Sequence, residues 1–339
     1  MTHRFPIKEI ADQSGLSTAT VDRVFNNRAG VSPQARARVA AAISELEGQE
    51  QQISARGRRL FFDIVVEAPE RFSREIRRAA EATLPTIGPA VIRPRYTFRQ
   101  IMSENECIAA LNLIAKRGSH GICLKARDLP GVRAAVDRLH RKGIPVVTVF
   151  TDLTTPSRSA YSGPDNYAAG QTAGYLMDRF LTGQKGTVLA TLSNADFHGE
   201  AQRHRGFRDY LERVRPDLGL IEAKDGAGLN IETARLVQYA IATAKVICGV
   251  YSMGGANTAV LRSLQAMGQC PTAYIAHDLD TENLSLLRSG AITIVLQHDI
   301  QTDIRNAFLS LLHEHGLASA KARPVSSRLN VVTPMTIAT

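Results

Sequence analysis

The stretch "IKEIADQSGLSTATVDRVFNNRAGVSPQARARVAAAISEL", residues 7–46, decides how the chain begins. Ile7, Ile10 and Ala11 share one side of a first helix, and Gly15 offers the tight turn that ends it. Ser17 can accept a hydrogen bond from a free backbone N–H and so start a second helix. On that helix Val21, Val24 and Phe25 share one face. Thr18, Ala19, Asp22, Arg23 and Asn26 share the opposite one. Ser32-Pro33 then places a cap and a first-turn proline ahead of a third helix. Its apolar stripe is Ala35, Val39, Ala42, Ile43 and Leu46. The expectation is a compact all-α unit with a helix-turn-helix, its second helix turning a polar face outward. A carboxylate, Asp22, sits on that face.

Residues 47–59, "EGQEQQISARGRR", are polar and end basic, with Ile53 the one large apolar residue. That composition reads as a linker. From residue 60 the texture changes. Apolar runs such as "LFFDIVV", "GICL", "IPVVTVF", "GTVLATL", "KVICGVY", "TAYIAH" and "ITIVLQ" alternate with amphipathic helical stretches. Continuous apolar strands between helices mean parallel sheets covered on both faces. The rhythm restarts after residue 162, which predicts two doubly wound lobes. The expected division is a helical domain over 1–48, a hinge-like linker over 49–59, and an α/β domain over 60–339. Its lobes lie at about 60–160 and 162–290, and the C-terminal segment crosses between them. Ligands of such sheets bind beyond the carboxyl ends of the strands.

The 339 residues suit two or three domains, and 44% hydrophobic content supports a large core. No run of about 18 apolar residues suggests a membrane span. "MTHRFPIKEIADQSG" lacks a secretory apolar stretch, so the expected location is the cytoplasm. The four cysteines are scattered without a CxxC pair, as reduced core thiols are. The net charge of +9 is spread: residues 1–60 hold nine Lys/Arg against six Asp/Glu. It favours polyanionic partners only weakly. Enzyme signatures are missing. No GxGxxG follows the first strand, "GQKGT" is too short for a phosphate-binding loop, and no serine sits in a GxSxG elbow. "HEH" at 313–315 lacks helical zinc-pair spacing. No cofactor and no metal are called for.

The segments "IADQSGLSTATVxRVxN" and "VSPQARARV" closely resemble the N-terminal domain of the lac-repressor (LacI/GalR) family of bacterial transcription regulators. The resemblance implies a dimer whose second helices enter successive major grooves of a pseudo-palindromic double-stranded operator. Thr18 and Ala19 then face base edges, and Arg23 has the fork that binds guanine O6 and N7. Ser17, Thr20, Asn26 and Arg28 suit phosphates. Two departures stand out. Asp22 occupies a position where most members carry Ser. The linker lacks the Leu that wedges into the minor groove, so a wedging hinge helix is not expected.

Beyond residue 60 the chain resembles the periplasmic sugar-binding-protein fold used as a sensor in the same family. "GIPVVTVFTD", "SGPDNYAAGQTAGYLM", "QRHRGF" and "YIAHD…IVLQHD" carry the likeness. It implies two lobes closing on a small polar effector. Arg203 matches a ligand-gripping arginine. Asp278 can accept from vicinal hydroxyls, Gln297 can both donate and accept, and Phe72 can stack on a ring. Asp152, Asn194 and Asp196 follow strands at the cleft edge. Met253 stands where an Asn is frequent, and "VFTD" lacks the Asp-Arg pair common in pentose binders. His198, His277 and His298 fall near strand ends, so a sugar acid or polyol is as open as a neutral sugar. The expected protein is an effector-controlled repressor, a homodimer with a tetramer as alternative. An activator of the same fold, a nucleoid-type DNA binder, or an enzyme with a DNA-binding appendage are the competing readings.

Overall fold

The computed structural model describes residues 4–28, 30–55, 57–88, 90–244, 246–318 and 327–337. Three helices open the chain: α1 (Ile7–Ser14), α2 (Thr18–Phe25) and α3 (Pro33–Ala55). Gly15 ends α1 in the left-handed conformation, φ 62°, where a Cβ is disfavoured. Ser17 caps α2 by accepting from the Thr20 N–H. Ile10, Ala11, Val21, Val39, Ala42 and Leu46 close a small core with Phe5. Ile7, expected on the buried side of α1, is 37% exposed.

Most of the segment read as a linker is helix. α3 runs on to Ala55, and Gly57 with φ 83° lies just beyond its end. The Glu and Gln of "EGQEQQ" are good helix formers, and one glycine costs about 1 kcal/mol against them. Polar composition alone therefore misled the reading. Residue 56 lies outside the described residues, as do the side chains of 51–55.

The first α/β lobe holds strands β1 (Arg59–Glu67), β2 (Val91–Arg99), β3 (Gly121–Lys125), β4 (Val146–Val149) and β5 (Ala160–Ser162). They form one parallel sheet ordered β2-β1-β3-β4-β5. Helices α4 (Glu70–Thr83), α5 (Glu104–Arg117) and α6 (Pro130–Arg141) connect them. The second lobe holds β6 (Gly186–Thr191), β7 (Leu218–Ala223), β8 (Ile247–Ser252), β9 (Ala273–His277), β10 (Ile294–His298) and β11 (Leu329–Val332). The order is β11-β10-β9-β8-β6-β7, parallel except for β11 against β10. Its helices are α7 (Asn166–Phe180), α8 (His198–Val214), α9 (Asn230–Ile241), α10 (Asn257–Ala266) and α11 (Thr281–Arg288).

The chain crosses between lobes after β5 and again after β10. Helix α12 (Ile300–Glu314) follows β10 yet packs Ile304, Ala307, Phe308 and Leu311 against Phe62 and Ile64 of the first lobe. β11 then returns to the second sheet. These crossings place the carboxyl ends of both sheets face to face. Among the described residues no helix is long and apolar enough to cross a membrane.

Candidate functional site

A cleft of about 950 Å³, open mouth included, lies where the two sets of strand ends meet. Glu67 ends β1 and Lys125 ends β3. His277 ends β9 with Asp278 just beyond it, and His298 ends β10. Phe72, Phe150 and Phe197 supply apolar walls. One arginine spans the lobes. Arg71, at the start of α4, places Nε 2.9 Å from Asp280 Oδ2 of the second lobe. Its terminal nitrogens donate to the Gly228 carbonyl oxygen at 3.2 and 3.1 Å.

Arg203 reaches the cleft from α8 because α7 and α8 touch backbone to backbone. A Cβ on Gly170 would stand 1.9 Å from the Arg203 carbonyl oxygen, and one on Gly206 2.2 Å from that of Tyr167. Only glycine admits that approach. Arg203 Nε donates to Asn166 Oδ1 at 2.7 Å, which aims the side chain.

Opposite it, burial pushes the His298 imidazole down, but the carboxylates of Asp278 and Asp303 outweigh it and lift the pKa from 6.5 to about 9. His298 is thus a buried imidazolium between two carboxylates. Burial pushes Asp278 up, yet the same imidazolium, 3.2 Å away, and Arg203 hold it well below the usual range. Burial and Arg203 keep His277 neutral, with Nε2 2.6 Å from the Tyr251 hydroxyl. Lys125 is pushed down to about 8 by burial. Burial raises Glu200 above its ordinary value; its carboxylate accepts from the Ser193 N–H at 2.7 Å and from the Ser193 hydroxyl. Among the described residues no cluster of His, Cys, Asp and Glu is arranged to hold a metal ion.

In the helical unit, Thr18, Ala19, Arg23, Asn26 and Arg28 stand exposed on or just after α2. The Ser17 and Thr20 hydroxyls bond each other at 2.8 Å. Asp22 Oδ1 accepts from Asn26 Nδ2 at 2.9 Å, and Asp22 Oδ2 lies 3.6 Å from Arg28 NH1. The Arg23 side chain has no partner among the described residues and projects freely.

The sequence matches the family described as periplasmic binding protein domain over residues 70–302, and that of bacterial regulatory proteins, lacI family, over residues 6–47. The chain belongs to the periplasmic-binding-protein family and carries a lacI-family head. A glucose-galactose binding protein from Geobacillus stearothermophilus is similar in structure, with TM-score 0.72 at 20% identity, covering 82% of this chain and 98% of that one. A chain described as a LacI transcriptional regulator from Bacteroides fragilis gives TM-score 0.71 at 16% identity, covering 82% and 98%. A solute binding protein from Agrobacterium vitis with bound D-fucose gives 0.72 at 16%, covering 81% and 96%. At these identities the likeness speaks for the fold. No curated protein matches the sequence.

In this chain the cleft gathers five of the eight residues expected there: Phe72, Asn194, Arg203, Met253 and Asp278. Asp152 is spent elsewhere. It is held by Arg158 at 2.5 and 2.7 Å and by the Thr148 hydroxyl at 2.6 Å. Asp196 meets the other lobe through its backbone, its carbonyl oxygen accepting from the Asp128 N–H at 2.9 Å. Gln297 sits behind the strand ends, receiving the Leu279 N–H and donating to the His298 carbonyl oxygen at 2.7 Å. It borders an adjoining recess with Asp299 and Gln301, which shares Phe72, Asp278 and Asp280 with the cleft. His277 and His298 enter the cleft, whereas His198 pairs locally with Gln202 at 2.9 Å. Sequence reading missed Arg71, Lys125 and Glu200. Lys125 did leave a signal: a cation closing the apolar strand "GICLK" sits where ligands of parallel sheets bind.

Proposed function

We propose that this lacI-family chain is a cytoplasmic transcriptional repressor that binds operator DNA as a homodimer. A small hydroxyl-bearing metabolite held in the interlobe cleft sets its DNA affinity. The observation that carries the reading is the cleft itself: polar groups from two lobes converge on it, and the chain that lines it also carries the lacI-family head. Closing on an effector moves one lobe against the other. That movement changes the spacing of the two DNA-reading heads in a dimer. The effector acts through its different affinity for the two states. Arg23, exposed and unpartnered, is the residue assigned to base reading. Ser17, Thr20, Asn26 and Arg28 are assigned to the phosphates. Within the cleft, Phe72, Asn194, Arg203, Met253 and Asp278 are assigned to the effector.

The test is in two steps. Binding-site selection from random DNA, followed by footprinting, should return a two-fold symmetric site protected on both halves. A thermal-shift panel of sugars, sugar acids and polyols should return a ligand that stabilises the protein by mass action. The ligand should then change footprint affinity and be recovered chemically unchanged after long incubation. Asymmetric protection, or conversion of the ligand, overturns the proposal; conversion would make the chain an enzyme.

A further inference from the structure

We infer that the effector carries an anionic group, seated on Lys125 and Arg203, beside a hydroxyl-bearing body that meets Asp278 and His277. The inference rests on the cleft being the effector site, as proposed above. Four Lys or Arg side chains line the cleft. Two are neutralised in place: Arg71 by Asp280 at 2.9 Å, and Arg127 by Glu67 at 3.1 Å. The other two form no ion pair among the described residues. Arg203 is 6% exposed. It engages Nε with a neutral amide, and its terminal nitrogens make no hydrogen bond among the described residues. Lys125 Nζ donates to the Glu67 carbonyl oxygen at 2.8 Å and lies 3.9 Å from the centre of the Phe197 ring. The nearby Glu200 carboxylate turns to Ser193 instead, with both its oxygens engaged there.

A cation withdrawn from water without an anion in contact is costly, and buried charges are therefore paired as a rule. Two such cations lining one cavity leave a place for a ligand anion. The arginine fork and the ammonium suit a carboxylate or a phosphate alike. Across the cleft, His277 is 3% exposed, and its Nδ1 is buried with no hydrogen-bond partner. Asp278 Oδ1 faces the His298 imidazolium at 3.2 Å, whereas its Oδ2 accepts no hydrogen bond among the described residues. An acceptor and an imidazole nitrogen left free this way suit hydroxyl groups. A simple neutral sugar would satisfy them and leave the two cations unpaired.

The experiment compares matched probes by calorimetric titration of the full chain: D-glucose, D-galactose and D-glucitol against D-gluconate, D-glucuronate, D-galacturonate and D-glucose 6-phosphate. At least one acid should bind, about tenfold or more tighter than its neutral counterpart, and more weakly as salt is raised. The carboxylate and phosphate arms separate the two sources of anion. Lys125→Gln should lower that preference about tenfold, the scale of one charge-assisted hydrogen bond. Arg203→Gln should do the same, and circular dichroism of each variant shows whether it is folded. Lys125→Gln carries the test alone if Arg203→Gln is not. Binding of neutral probes as tight as the acids, or an acid preference that survives Lys125→Gln, overturns the inference and leaves the sensor reading standing. Binding by none of the probes overturns both.

Discussion

Asp303 Oδ2 stands 2.6 Å from His298 Nδ1, with both side chains closed off from solvent. Asp303 comes from α12 and His298 from the end of β10, so the pair ties the interlobe crossing to the floor of the cleft. With the imidazole raised from 6.5 to about 9, the charged pair stabilises the fold fully below about pH 6.5 and loses that contribution as pH rises through 9. Asp303→Asn removes one of the two carboxylates that raise the imidazole and should therefore destabilise the protein by about 1–2 kcal/mol at pH 6, a part of the whole shift. The gap between variant and wild type should shrink between pH 7 and 9.5 in thermal melts. A gap that is constant with pH would mean that His298 is neutral in the folded protein.

This pair also shows what a sequence does and does not carry. Strand ends and helix caps are local, so "YIAHD" and "IVLQHD" were legible as cleft edges, and Arg203, Asp278 and Phe72 came out together. Asp152 also follows a strand at the cleft edge but belongs to Arg158, six residues on. Whether a carboxylate is free depends on rotamers of neighbours, and no pattern records those. Lys125 and Arg71 were missed for a related reason. Their roles come from the opposite lobe, more than 70 residues away in the chain for Lys125 and more than 150 for Arg71. The helical tail of α3 was missed because its polar residues propagate a helix that earlier residues had already nucleated.

Gly170 sets how closely α7 approaches the backbone of Arg203. Alanine there would drive a methyl into the Arg203 carbonyl, 1.9 Å away, and the helices must part. Gly170→Ala should cost about 1–3 kcal/mol of stability, as overpacking does. It should also weaken effector binding out of proportion to that loss, because Arg203 moves with its helix. A control such as Gly183→Ala would lose stability by a different route, its φ of 74°, and leave the effector affinity unchanged. Denaturant melts and titration of the same preparations test the split. Equal losses of binding in both variants would sink the positioning role.

Arg71 is the most direct link across the cleft mouth. Arg71→Met keeps much of the aliphatic stem and removes the contacts with Asp280 and the Gly228 carbonyl. The open arrangement should gain population, seen as a larger radius of gyration in solution scattering without effector. Effector affinity should fall about tenfold, the equivalent of 1.4 kcal/mol. Thermal stability should change little, since each lobe keeps its own core. Unchanged scattering with lowered affinity would instead make Arg71 a direct ligand contact.

Asp22 is tied to Asn26 and to Arg28 on the outward side of α2, which supports an orienting role for the carboxylate. The Asp22–Arg28 pair is exposed, 40% and 63% for the two side chains, so it adds under about 1 kcal/mol to the fold. Its consequence should lie in DNA recognition. A carboxylate near phosphates weakens non-specific binding. Asp22→Ser should tighten binding to random DNA by about 2–5-fold at low salt, the effect of one charge, and lower the preference for the selected operator. In an Arg28→Ala background the same substitution should leave that preference unchanged, because nothing remains to be oriented. Measuring all four proteins on operator and random DNA closes the cycle. A full effect of Asp22→Ser without Arg28 would identify Asp22 as a reader of bases in its own right, accepting from a cytosine amino group.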